Sequence, residues 1–250
     1  MLTQEQCRKQ NQVEISLLAA SNNEIKPCGH DHLPATVSTL QHFKHSTSDL
    51  VAHLVSAATV TSGSMTRTQR KAYYHLLNLI QATHQYPSTP SLTSSFVLFD
   101  DLFFSSKLAE NCIHKPAKVP SSNLDLCCDA GTRYLGNGRA MIFAYLPPAG
   151  AVDLPFYKEK RYAVERMTRY FESLLHQMVH AFLMLFPCFE CRIQGGGVGK
   201  EKGHCEHWEE VKGAVEKMCR EKLRVEAVLE DKECVAGRRK DWWDVGGGCC

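Results

Sequence analysis

Between Asp153 and Pro187 the chain repeats apolar residues at the three-or-four spacing of one helix face: Val164, Met167, Phe171, Leu174, Leu175, Met178, Phe182 and Leu185. A stripe of that length must be buried, so the rest of the chain has to fold around this helix. Asp153 is the candidate N-cap, Pro155 fits the first turn, where its missing N–H costs nothing, and Pro187 closes the run. An unbroken helix here is unusually long, and a break near Thr168 would bring it to ordinary length. Two histidines, His176 and His180, are set into its apolar second half.

The flanking segments read as an α+β domain. Tyr73, Leu76, Leu77 and Ile80 recur at helical spacing and stop before Pro87 and Pro90. A second helix is expected from Ser95 to Cys112, through Phe99, Leu102, Phe103 and Leu108. Ser122 to Asp129 and Arg139 to Leu146 read as strands around the turn-formers Gly131, Gly136, Asn137 and Gly138. After a glycine-rich loop from Gln194 to Gly203, a further helix is expected from Glu206 to Leu223. Residues 1–65 are polar apart from a short helical stretch at Leu50–Val60 and read as a flexible N-terminal extension. Residues 66–230 form the domain, and 231–250 an unstructured tail.

Composition narrows the function classes. Hydrophobic residues make up 44% and charged residues 22% of the 250, ordinary values for a globular chain. No apolar run reaches the eighteen or so residues of a membrane helix. Met1 to Gln12 has no apolar signal core, which argues for an intracellular chain. The net charge of +2 does not announce nucleic-acid binding, although residues 66–205 hold sixteen basic against eleven acidic side chains. Twelve cysteines are too sparse for a disulfide scaffold, and in a reducing compartment they are thiols or metal ligands.

The chemistry gathers in His176-Gln177-Met178-Val179-His180. Histidines at i and i+4 leave a helix on one face, so both imidazoles can reach one ion, and zinc suits neutral imidazole nitrogen. A third ligand is needed, and His204 in Gly203-His204-Cys205-Glu206-His207-Trp208 is the candidate, with His207 as its neighbouring competitor. Three protein ligands would leave zinc an open position, as in catalytic sites.

Phe171 to Phe186 (FESLLHQMVHAFLMLF) resembles the metal-binding helix of the SprT-like family, the Spartan-type zinc metalloproteases. That family reads roughly LLHEMxHA, followed later by GHG and an aromatic residue four positions after that histidine. Leu174-Leu175-His176, Met178, His180-Ala181, Gly203-His204 and Trp208 fall in register, and Asp101-Leu102-Phe103-Phe104 with Leu108 resembles the family's helix with a paired Phe. The likeness spans about Thr66 to Val225. It implies a minimal zincin-like fold, a small β-sheet packed on a metal-binding helix, with zinc on His176, His180 and His204. It also implies proteolysis of proteins crosslinked to DNA, DNA or chromatin-bound partners, and residence in the nucleus.

Two positions depart from the pattern. Cys205 replaces the small residue after the third histidine, and Gln177 stands in the base position where the family has glutamate. In an HExxH site the glutamate accepts a proton from metal-bound water and passes it on; an amide cannot, and loss of a general base costs on the order of 10² to 10⁴ in rate. The alternative is a catalytically inactive zinc-binding pseudoprotease that binds DNA or protein. Glu172 and Glu206 are the nearest carboxylates, but neither holds the position beside the first histidine.

Other motifs carry less. Cys188-x-x-Cys191 could join Cys205 and His204 or His207 in a structural zinc site, but a single CxxC favours a reduced loop cap over a second zinc. Cys28-Gly29-His30-Asp31-His32, in the polar extension, reads as incidental. Lys158, Lys160, Arg161, Arg166 and Arg169 interleave with Glu159, Glu165 and Glu172, which favours a solvated helix face over a DNA-facing patch. Arg238-Arg239-Lys240 with Trp242 and Trp243 is a short basic-aromatic tail of the kind that can stack on single strands.

Overall fold

A computed structural model of the chain describes residues 31–36, 38–85, 92–118, 130–146, 156–188, 190–191 and 206–229. In chain order the elements are α1 (Thr47–Thr59), α2 (Arg67–Gln85), α3 (Leu92–Phe103), α4 (Leu108–Asn111), β1 (Cys112–Lys118), β2 (Ala130–Gly136), β3 (Arg139–Leu146), α5 (Phe156–Leu185) and α6 (Glu206–Met218), the last continuing into a π turn at Cys219–Leu223. Helices with a small mixed sheet make the fold α+β. Among the described residues no helix is long and apolar enough to cross a membrane. The expected strand at Ser122–Asp129, the N-cap Asp153 with Pro155, the loop Gln194–Gly203, His204, Cys205 and the 231–250 tail lie outside the described residues.

Local chemistry sets the element ends. Ser46 caps α1 by accepting the Asp49 N–H at 3.0 Å. Thr66 and Gln69 cap α2 reciprocally: each side chain takes the other's backbone N–H at 3.1 Å. The helix expected over Ser95–Cys112 is instead interrupted. Ser105 and Ser106 adopt left-handed backbone angles, φ 59° and 61°, and the Asp100 carboxylate accepts the N–H groups of Leu108 and Ala109 at 2.9 and 2.7 Å. That carboxylate starts α4 afresh, and the chain leaves it directly into β1. Periodicity could not register a break made by a side chain eight residues upstream.

The sheet has the order β1-β3-β2, with β1 parallel and β2 antiparallel to the central β3. Asn137 and Gly138, both at positive φ, close the β2–β3 hairpin. Pro116 falls on β1, an edge strand, the place in a sheet where proline is tolerated. Alternation puts Ala140, Ile142 and Ala144 of β3 on the buried face, with Ala130 and Thr132 of β2 opposite Ala144 and Ile142.

That face packs on α5, which runs without a break through Thr168. Met167, Phe171, Leu174, Leu175, Met178, Phe182 and Leu185 are buried, as the stripe predicts; Val164, its first member, is only partly buried, and Tyr170, outside the stripe, is fully buried. Phe99 and Phe104 of the preceding segment meet Phe171 and Phe182 of α5, the first pair edge-on with centroids 5.0 Å apart. The second half of the polar N-terminal stretch also enters this core: Leu40, Leu50, Val51, Leu54, Ala58 and Met65 are buried, and α1 lies against α6.

Candidate metal centres

The i, i+4 geometry of α5 brings His176 and His180 together, with their Nε2 atoms 3.0 Å apart. Two nitrogens bound to one tetrahedral ion at about 2.0–2.1 Å stand about 3.3 Å from each other, so the pair fits a shared ion after an opening of a few tenths of an ångström. His180 is buried and His176 half-buried. Trp208, on α6, covers both rings: its centroid lies 4.5 Å from His180 at an interplanar angle of 12°, and 4.6 Å from His176 at 56°. The aromatic residue singled out by its spacing therefore sits against the histidine pair, and it fixes the ring planes by packing.

Gln177 is buried and turned toward the sheet. Thr132 Oγ1 lies 2.9 Å from both the backbone carbonyl and the side-chain Oε1 of Gln177. Thr132 escaped the sequence reading, although alternation with Ala130 would have placed it on the inner face of a strand. Glu172, one turn before His176, accepts the Val228 N–H at 3.1 Å and so faces the segment after the π turn. Arg169 pairs with Glu165 at 2.7 Å on the exposed face of α5, as the solvated reading expects.

A second group lies beyond the C-terminal end of α5. His32 Nε2 is 3.3 Å from Cys188 Sγ and 3.3 Å from Cys191 Sγ. All three donor atoms lie within 4.8 Å of one another, and the group could hold a metal ion. The CxxC pair does form a local cap, Cys191 N–H donating to Cys188 Sγ at 3.2 Å, and the fold adds His32 to it across 156 residues, so that motif is not incidental. Among the described residues the donor nearest the two cysteines is His32; Cys205 and His204, the donors expected from the sequence together with His207, lie outside the described residues.

Burial perturbs several groups away from these centres. It raises Asp100 to about 7, against the opposing pull of two backbone N–H bonds, and lowers His114 to about 4. The thiols of Cys112 and Cys219 are pushed up to about 12, also by burial, which keeps both protonated and inert.

Comparison with protein-family models, with curated proteins and with solved structures returns no match in any of the three.

Proposed function

We propose that the chain is a SprT-like, zinc-binding domain of the DNA-associated metalloprotease type, with hydrolysis impaired at Gln177. The observation that carries this reading is the paired Nε2 atoms of His176 and His180 under the Trp208 ring. Without a metal the same 3.0 Å separation is that of an Nε2–H···Nε2 hydrogen bond between the rings; with one, both lone pairs turn to the ion. Zinc is the ion that best suits neutral imidazoles on one helix face, with His204 as the third ligand carried from the sequence motif. When bound, zinc supplies Lewis acidity and lowers the pKa of its water.

The chain's own residues divide the remaining work. His176 and His180 hold the ion, Trp208 orients the imidazoles, and Thr132 holds Gln177 in the base position. An amide there can hydrogen-bond water but cannot carry a proton away. This favours the second reading, a pseudoprotease that keeps its metal for folding and engages DNA or a chromatin-bound protein without cutting it, with residence in the nucleus. The test is zinc content and cleavage of a DNA-bound protein by the purified, zinc-loaded chain. Loss of one zinc equivalent in His176→Ala and in His180→Ala supports the ligand assignment; an unchanged zinc content overturns it.

A further inference from the structure

We propose that His32, Cys188 and Cys191 form a second metal site, structural in role, that binds a thiophilic divalent ion such as zinc and fastens the N-terminal segment to the end of α5. The site does not depend on the His176–His180 reading, since it shares no residue with that pair and lies eight residues past His180.

The donor set is the first argument. Around a tetrahedral ion, with metal–sulfur at about 2.3 Å and metal–nitrogen at about 2.0–2.1 Å, sulfur and nitrogen stand about 3.6 Å apart. The two S···N distances of 3.3 Å need to open by only a few tenths of an ångström. Two thiolates and a neutral imidazole balance a divalent charge, so the loaded site is neutral and can be buried at low cost; Cys188 is 4% exposed. Soft sulfur donors select zinc-like ions over magnesium or calcium, which seek oxygen. Three protein donors leave one further coordination position.

Preorganisation is the second argument. Both cysteines are present as thiols. The Cys191 N–H donates to Cys188 Sγ at 3.2 Å, which fixes the two cysteines relative to each other. The segment bearing His32 is held at the end of α5 by contacts other than the donor atoms themselves. Cys188 N–H donates to the His45 carbonyl at 2.8 Å, and His45 N–H to the Phe186 carbonyl at 3.4 Å. Thr47 Oγ1 donates to the Cys191 carbonyl at 3.2 Å. His45 Nδ1 lies 2.8 Å from the Leu33 carbonyl, and Leu33 N–H donates to Lys44 at 2.9 Å. Backbone and side-chain bonds thus bring the imidazole to the CxxC pair, and an ion would lock a geometry already set.

Cobalt substitution of the full chain tests this directly. The expected result is a thiolate-to-cobalt charge-transfer band that vanishes, with one metal equivalent, in Cys188→Ser/Cys191→Ser, and that persists in His176→Ala. Absence of the band overturns the proposal, as does a band that survives the double substitution, because other cysteines then supply the sulfur. Should the double variant fail to fold, alkylation of the natural chain decides. Zinc should slow labelling of the Cys188 and Cys191 peptide at least tenfold relative to chelator-treated protein, and by clearly more than it slows labelling of the buried Cys219. Equal effects on all three, or a Cys188–Cys191 disulfide in protein kept under reducing conditions, would refute it.

Discussion

Thr132 Oγ1 and Gln177 Oε1 stand 2.9 Å apart, linking the edge strand β2 to the helix that carries the histidine pair. A threonine hydroxyl donates one hydrogen, and either an amide oxygen or a carboxylate oxygen can accept it. Gln177→Glu therefore keeps the same partner and the same shape while adding a group able to take a proton. We expect zinc-loaded Gln177→Glu to cleave a DNA-bound protein about 10² to 10⁴ times faster than the natural chain, the range that a general base supplies. Gel analysis of the cleaved substrate measures it. Equal rates would mean that the amide is not what limits hydrolysis.

Metal binding at the histidine pair should be visible through Trp208. Its ring lies 4.5 Å from His180 and 4.6 Å from His176, so a paramagnetic ion on the two Nε2 atoms would quench its emission. Adding cobalt to metal-free protein should quench part of the tryptophan fluorescence, and chelation should restore it. The quenched fraction should disappear in Trp208→Phe and in His176→Ala, which separates this centre from the sulfur-containing group. Full quenching in His176→Ala would place the ion elsewhere.

Opposed titrations should flatten the pH dependence of stability. Asp100 is at about 7 in the fold against an ordinary 3.8, so between these values the folded chain keeps a proton that the unfolded chain has released. Its contribution therefore falls as pH rises through that window. His114, at about 4 against 6.5, behaves oppositely: the unfolded chain takes up a proton that the folded chain refuses, so stability falls as pH drops from 6.5 toward 4. The windows overlap and the slopes oppose. Compared with the parent, Asp100→Asn should lose stability more steeply on acidification, and His114→Phe should lose it less steeply. Urea midpoints across this range check both, and parent-minus-variant differences cancel the other titrations. Identical slopes in all three proteins would refute the assignment.

What was legible in the sequence followed from local geometry. His176 and His180 share a face because four residues make about one turn, and α5 could be read because its stripe has to be buried. Trp208 was legible only through its spacing from His204, a pattern taken from the resemblance and not from any local physical rule. The site at His32, Cys188 and Cys191 was not readable, because chain separation hides a contact that the His45–Phe186 and His45–Cys188 backbone bonds create. Strand β1 was hidden for a similar reason: Asp100 reaches Leu108 and Ala109 through a side chain, and hydropathy carries no trace of that bond. Tertiary hydrogen bonds, more than propensity, account for both omissions.

Phe99 supplies the sharpest packing test. It is fully buried on α3, edge-on to Phe171 at 5.0 Å and 88°, and it joins the segment before the sheet to the helix bearing the histidines. Phe99→Ala removes most of a ring from a site that cannot collapse freely between α3 and α5, so it should cost about 3–5 kcal/mol. Against a typical domain stability of about 5–15 kcal/mol, that brings the fold close to its limit. Val97, two residues away on the same helix, is 47% exposed, and Val97→Ala should change stability by no more than about 0.5 kcal/mol. Denaturant unfolding of the two variants beside the parent measures the contrast. A Phe99→Ala loss below about 1 kcal/mol would mean that the α3–α5 contact adjusts around the deletion, contrary to the close packing inferred here.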